Sequence, residues 1–165
     1  MTGVQTCALP IFGNLPYNIS SPLLFHLVSA ASHIDEQVFM LQAEVVERMV
    51  AQAGSSDFSR LSVMLQARYD MELVLEVPPE AFEPAPKVNS AVVRMIPRKE
   101  FHLNSAQWSA LEQVVAAAFS QRRKMLRTNL QPFASKLKLS EDELKARAQD
   151  ISVDRYIEWA KLLAN

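Results

Sequence analysis

The stretch Phe12-Gly13-Asn14-Leu15-Pro16-Tyr17-Asn18-Ile19-Ser20-Ser21-Pro22 decides the fold. An apolar residue and a glycine run into Asn-Leu-Pro-Tyr, and a Ser-Ser-Pro follows, so the segment reads as strand end, rigid turn and helix start. Ser21 is expected at the cap and Pro22 at the first helical position. Proline fixes its own φ and disfavours helical backbone at Leu15. The Asn14 side chain and the Leu15 and Pro16 carbonyls are thereby held on a stiff corner, with the Tyr17 ring beside them. Open α/β sheets place their ligands at such corners.

Two acceptors on one corner suit an amine. An amide oxygen from Asn14 and a backbone carbonyl can bind the two hydrogens of an exocyclic amino group on a base and turn the nitrogen lone pair toward an electrophilic methyl group. Positioning and electrostatics then replace a strong base. Tyr17 offers a π-face for an extruded base, a contact worth about 1–3 kcal/mol. The competing view is a plain strand-to-helix turn with a buried tyrosine, and four residues alone do not decide between them.

Two further motifs follow in order: Phe82-Glu83-Pro84-Ala85-Pro86-Lys87-Val88-Asn89-Ser90-Ala91-Val92 and Phe119-Ser120-Gln121-Arg122-Arg123-Lys124. With the Asn-Leu-Pro-Tyr corner they make residues 12–165 closely resemble the bacterial small-subunit ribosomal RNA adenine N6,N6-dimethyltransferases. Two positions depart from that family's pattern: Ala43, where a lysine is usual, and Ser59, where a glycine is usual. Neither lies in the corner.

The resemblance implies an α/β chain: the second half of a Rossmann-like S-adenosylmethionine-dependent methyltransferase domain over residues 12–100, then a small all-helical RNA-binding domain over 101–165. It implies dimethylation of adenine N6 in small-subunit ribosomal RNA during ribosome biogenesis. Asn14, Leu15, Pro16 and Tyr17 would be catalytic, with Asn14 also touching the cofactor. Tyr17 and Phe82 would stack on the target base, while Lys87, Arg122, Arg123, Lys124 and Arg127 would meet RNA phosphates. The implied partner is small-subunit ribosomal RNA or an immature small ribosomal subunit, met by a cytoplasmic monomer. Two alternatives stand beside this: a non-catalytic RNA-binding or ribosome-assembly module, and an enzyme acting on large-subunit RNA.

The cofactor cradle is expected to be missing. A methyltransferase of this type binds S-adenosylmethionine through a glycine-rich turn after its first strand. This chain has only Gly3, Gly13 and Gly54 and no G-x-G, so it is expected to be inactive alone and not to bind S-adenosylmethionine measurably. Residues 1–11, Met-Thr-Gly-Val-Gln-Thr-Cys-Ala-Leu-Pro-Ile, carry none of the family's pattern and read as a non-native leader.

With 165 residues, 49% hydrophobic and 21% charged, the composition is that of a folded chain with one sizeable core rather than a disordered one. No apolar run reaches a membrane span. The single Cys7 excludes an internal disulfide framework, and His26, His33 and His102 are too scattered to suggest a metal site.

Periodicity fills in the remainder. Residues 23–28 read as a helix buried on almost every face, with His26 a core or edge residue. Residues 37–41 read as a strand, 44–50 as a helix with Glu44 four residues before Arg48, and 59–69 as a helix. Residues 71–77 and 90–96 read as paired strands joined by a long proline-rich connection over 78–88, too long and stiff for an idle hairpin. Beyond Arg98-Lys99-Glu100 the pattern is helical. Trp108, Leu111, Val115 and Ala118 form one stripe and Leu126, Leu130 and Phe133 another, with a capping box at Ser140 and a last helix opened by Ser152. Tyr156, Trp108 and Trp159 are expected in the core.

Charge is unevenly spread. Residues 12–100 hold 7 basic and 11 acidic side chains, and 101–165 hold 10 and 7. Residues 119–138 hold six basic and no acidic side chains. Read as a helix, that segment puts Arg123, Lys124 and Arg127 on one flank, away from the apolar stripe, which suits a phosphate backbone.

Overall fold

The computed structural model describes residues 9–99 and 103–164. Most of the expected leader, Cys7 and His102 lie outside them. Contacts divide the chain into two compact units, one reaching Val50 and resuming over Arg68–Lys99, the other formed by Ala51–Ala67 and the helices of the C-terminal third.

The first unit is a four-stranded sheet. Strand β1 (Leu9–Asn14), which begins ahead of Phe12, runs parallel to β2 (Ile34–Gln42). A parallel pair needs a crossover, supplied by helix α1 (Ser20–Ala30) and a single 3-10 turn, Ala31–His33. Strand β3 (Tyr69–Val77) and strand β4 (Ser90–Pro97) form an antiparallel ribbon that adds through β4 to β2, giving the order β1-β2-β4-β3.

The pleat sorts the side chains. Gln37, Phe39 and Leu41 of β2 and Ala91, Val93 and Met95 of β4 are buried, while Val38, Met40, Val92 and Arg94 are half-exposed on the other face. Helix α2 (Ala43–Val50) packs on β2, β3 and β4 and contributes buried Val46 and Met49. Each such fully buried aliphatic side chain stabilises by about 1.5–3 kcal/mol. Buried Gln37 survives in this core because its Nε2 donates to the Tyr69 hydroxyl at 3.0 Å, which in turn donates to the Leu27 carbonyl of α1 at 3.0 Å. Burial pushes the Tyr69 phenol pKa up.

The second unit comprises α3 (Arg60–Gln66), α4 (Ser105–Ala118), α5 (Leu126–Asn129), α6 (Ala134–Leu137), α7 (Glu141–Lys145) and α8 (Val153–Leu163). Capping boxes at Asn104 and Ser140 open α4 and α7, and the Ser152 hydroxyl accepts the Arg155 N–H to open α8. Its core holds Leu111, Val115, Ala118, Leu126, Leu130 and Ile157. A chain of rings runs through it: Phe58 to Phe119 (6.4 Å), Phe119 to Tyr156 (6.0 Å) and Tyr156 edge-on to Trp159 (5.2 Å). Burial also raises the Tyr156 phenol pKa, and its hydroxyl donates to the Ala148 carbonyl at 2.8 Å. Gly54, at φ 91°, sits in the left-handed region that favours glycine and donates its N–H to Gln149 at 2.7 Å.

Four local expectations are corrected. Helix α1 begins at Ser20 with Ile19 at the cap, and Ser21 does not cap it. Pro22 falls at the third position, still inside the first turn, where a missing N–H costs nothing. Helix α3 ends at Gln66, because Tyr69 already belongs to β3. The 119–125 segment is not helical: it runs through turns, and α5 is only four residues long. Helix α1 is not buried on almost every face: it buries only Ser20, Leu24 and Val28, and His26 lies on its exposed edge.

An ionic cluster fastens α7 to α8. The Arg155 guanidinium donates to both Glu143 carboxylate oxygens (2.5 and 3.1 Å) and to Glu158 (2.7 Å), while lying 5.5 Å from the Trp159 ring centre. The bond from Arg155 holds the Glu143 carboxyl pKa below its ordinary value, despite the opposing effect of burial. A carboxyl depressed by folding stabilises fully above its unfolded pKa, and that contribution is lost as the pH falls through its folded pKa. Acid titration of stability, followed by α-helical circular dichroism, should therefore show a loss below the ordinary glutamate range that is smaller in Arg155→Met than in the parent.

Candidate functional site

The corner at the end of β1 is set by where its hydrogen bonds stop. The Leu15 N–H donates to the Met40 carbonyl at 3.1 Å, carrying the β1–β2 ladder one residue past the strand. Pro16 has no N–H to continue it, and the Pro16 carbonyl instead accepts the Ile19 N–H at 3.2 Å. The Ser20 hydroxyl donates to the Tyr17 carbonyl at 3.2 Å, closing the turn into α1. Leu15 is buried beneath the corner, whereas Asn14 and Pro16 are exposed on it.

Tyr17 is half-buried, and its hydroxyl lies 2.7 Å from that of Ser90, the first residue of β4, across 73 positions of sequence. Ser90 is fully buried. Ser90 belongs to the second motif, but the sequence alone assigns it no role. The available signal was a small polar residue opening an apolar strand straight after the proline-rich connection.

That connection begins with a 3-10 turn, Pro79–Ala81, and is held at its far end by the Ala43 N–H, which donates to the Asn89 carbonyl at 2.9 Å. Phe82 is half-buried within it, and no ring pair links Phe82 to Tyr17 among the described residues. Lys87 is exposed and lines an open cleft of about 400 Å³ with Gln42, Ala43, Glu44, Glu47 and Asn89. Glu44 is paired with Arg48, as its spacing predicts. The cleft thus mixes one lysine with two carboxylates, and Ala43 forms part of its wall.

The basic segment lies in the helical unit and is a fixed turn. Asn129, buried on α5, donates from Nδ2 to the carbonyls of Ala118 (2.6 Å) and Gln121 (3.1 Å), clamping the end of α4 to the start of the turn. Arg122 is exposed, yet its guanidinium donates to the Ser56 carbonyl of the loop that also contains Gly54. Arg123, Lys124 and Arg127 are exposed. Residues 121–124 surround a hollow of about 300 Å³. The structure therefore brings Arg122, Arg123 and Lys124 together on a turn rather than along a helix flank. Asn129 was missed because a lone asparagine after Arg127-Thr128 carries no periodic signal.

A mixed α/β sheet of this kind, together with a helical unit, is the Rossmann-like fold seen in solved dimethyladenosine and rRNA methyltransferases. The chain matches the crystal structure of a dimethyladenosine transferase from Plasmodium falciparum at a TM-score of 0.78 over 91% of this chain and 64% of that one, at 24% identity. It also matches the 23S rRNA methyltransferase ErmE at 0.65, over 96% and 67%, at 21% identity. The sequence is more specific: residues 5–165 match the ribosomal RNA adenine dimethylase family model, and the chain belongs to that family. It is 54% identical over 160 residues to the ribosomal RNA small subunit methyltransferase A of Burkholderia mallei, and 55% over 159 to that of Burkholderia lata. These alignments cover 96% and 95% of this chain, which spans 58% of the length of each relative.

Among the described residues no cluster of metal-ligating side chains occurs, and no helix is long and apolar enough to cross a membrane.

The turn predicts a difference between neighbouring arginines. Arg122→Ala should lower the melting temperature, because it frees the Ser56 loop, whereas Arg123→Ala should leave it within about 1 °C of the parent, as for most exposed substitutions. Differential scanning calorimetry of the two variants reads this directly.

Proposed function

We propose that this chain carries the base-orienting and RNA-gripping parts of an S-adenosylmethionine-dependent adenine N6,N6-dimethyltransferase acting on small-subunit ribosomal RNA. The observation that carries this proposal is the corner, with Asn14 exposed at the end of β1 beside a half-buried Tyr17 whose hydroxyl is tied down. Its setting is the cytoplasm, with the chain acting as a monomer on ribosomal RNA or an immature small subunit. The small-subunit substrate is favoured over large-subunit RNA by the close likeness to the Burkholderia proteins.

In this proposal the target adenine is drawn out of its stack and laid on the Tyr17 ring, with Phe82 contributing from the 78–89 connection. The Asn14 side-chain oxygen and a carbonyl of Leu15 or Pro16 accept the two N6 hydrogens. Held so, the nitrogen lone pair is drawn out of conjugation with the ring and would be available to an electrophilic methyl group. Nothing in the corner acts as a strong base; its contribution is orientation and a fixed partial negative charge. Transfer of a methyl group from the donor's sulfur to N6 would make the amine cationic until it loses a proton to water, so the Asn14 and backbone acceptors would hold the transition state more tightly than the neutral ground state. Arg123, Lys124 and Arg127 meet the RNA backbone, with Lys87 contributing from its own open cleft and Arg122 bracing the basic turn.

S-adenosylmethionine would supply the electrophilic methyl group. The described residues do not make a cradle for it: Gly13 lies inside β1, Gly54 lies in a loop of the helical unit, and no glycine-rich turn follows a strand.

The decisive test is methyl transfer from labelled S-adenosylmethionine to small-subunit RNA by a chimaera that restores the unmatched part of the Burkholderia mallei relative. Transfer should occur, and Asn14→Ala should lower kcat by about 100-fold with much less effect on RNA affinity, as for a contact made in the transition state. Unchanged turnover in that variant would refute the role given to Asn14. Separately, Arg123→Glu combined with Lys124→Glu should weaken RNA binding by this chain and reduce its log–log salt slope by about 2. Equal slopes for variant and parent would show that the turn never meets phosphate.

A further inference from the structure

We infer that Ser90 is a positioning residue for the base-stacking face of Tyr17, so that the proline-rich connection and the catalytic corner are set by one hydrogen bond. This rests on the proposed stacking of the target base on Tyr17.

The bond joins a restrained group to a fixed one. Tyr17 is attached to the corner at one end of its ring and to Ser90 at the other, with 2.7 Å between the two oxygens. Ser90 cannot shift to follow the ring. It is paired with Gln42 of β2 on one side and Val77 of β3 on the other, and its neighbour Asn89 is bonded to Ala43. Its side chain is fully buried, so the hydroxyl has no route to bulk water.

Two consequences follow for the ring. A phenol keeps its O–H in the ring plane by conjugation, and its oxygen accepts close to that plane, so the bond restricts ring rotation whichever hydroxyl donates. A ring fixed in position and plane presents a ready platform, whereas a free ring must be ordered when the base arrives.

The bond is also asymmetric. Without Ser90, the Tyr17 hydroxyl of the half-buried ring can turn to water. Without the Tyr17 hydroxyl, Ser90 keeps a buried polar group with no partner, which is the costlier loss. Tyr17→Phe preserves the π-face and would be mild if stacking area alone mattered. The Ser90 contact makes it the harsher variant for stability, and Ser90→Ala added to it should restore part of the lost stability.

The test uses the 165-residue chain and a small-subunit RNA hairpin with 2-aminopurine at the target adenine. Stacking of the base on Tyr17 quenches its fluorescence relative to the extruded, unstacked base. Ser90→Ala, Tyr17→Phe and the double variant should each weaken capture of the base by about fivefold, the double no more than either single, which marks one shared interaction. The tyrosine ring spectrum provides a readout without RNA: the chain has three tyrosines, and Ser90→Ala should narrow and shift the Tyr17 ring resonances toward free-ring values.

If Ser90→Ala lowers the melting temperature but captures the base as the parent does, with Tyr17 resonances unmoved, the positioning role is overturned while the stacking proposal stands. If Tyr17→Ala captures the base as well or as poorly as the parent, the stacking proposal itself fails, and the inference with it. Should Ser90→Ala not fold, Tyr17→Phe removes the same bond from the other side, and its capture of the base at parental strength overturns the inference equally.

Discussion

Proline 16 has no amide hydrogen, and the candidate site depends on that one missing donor. The β1–β2 ladder can run only as far as the Leu15 N–H on Met40. Beyond it the chain must leave the sheet, and the Pro16 carbonyl turns to Ile19 to begin α1. Where the ladder stops fixes where Asn14 becomes exposed and which way Tyr17 departs. The ring then reaches Ser90, whose own place is set by pairing on both sides. Backbone covalent chemistry at one residue thus determines the geometry of side chains drawn from two distant parts of the sequence.

Much of this was legible because its causes are local. Asn-Leu-Pro-Tyr announces its corner through proline's fixed φ, and the capping box at Ser140 needs only residues three apart. The strands at 71–77 and 90–96 show themselves by alternation and by prolines that end them, and the Glu44–Arg48 pair by its spacing. What escaped depends on contacts between distant residues. The partnership of Tyr17 with Ser90 spans 73 positions, and the clamp of Asn129 on Ala118 and Gln121 requires the end of α4 to fold back near α5. The same limit explains the error at 119–125. Its basic residues fit a helical wheel, but the turn is imposed by carbonyls captured by Asn129 and by the bond between Arg122 and Ser56. Helical periodicity in so short a segment yields to such tertiary bonds.

A common device recurs in both units. Gln37 with Tyr69, Ser90 with Tyr17, and Asn129 with the Ala118 and Gln121 carbonyls each place a buried polar side chain where one element must meet another at a set point. Apolar packing on a sheet face tolerates small slides, because burial is non-directional. A hydrogen bond in a dry interior does not, because moving it leaves a group unpaired. These tethers add less to net stability than the aliphatic core around them. They supply register, and a site that must hold a reacting group within a few tenths of an ångström needs register more than it needs additional stability.

The bulge in β3 has a different kind of consequence. Between Leu73 and Leu75 the pairing with β4 slips by one residue, and beyond the slip Val74 and Leu75 are exposed on the outermost strand, 54% and 57% accessible. An apolar strand at the rim of a sheet is ordinarily a template on which a foreign chain can add itself, the first step toward amorphous or fibrillar association. A recruit needs evenly spaced donors and acceptors, and the bulge breaks that spacing in the middle of the strand. Glu76, exposed beside the two apolar residues, adds a charge that a second copy of the strand would have to confront. The irregularity that costs β3 a clean alternation also protects the rim against self-association.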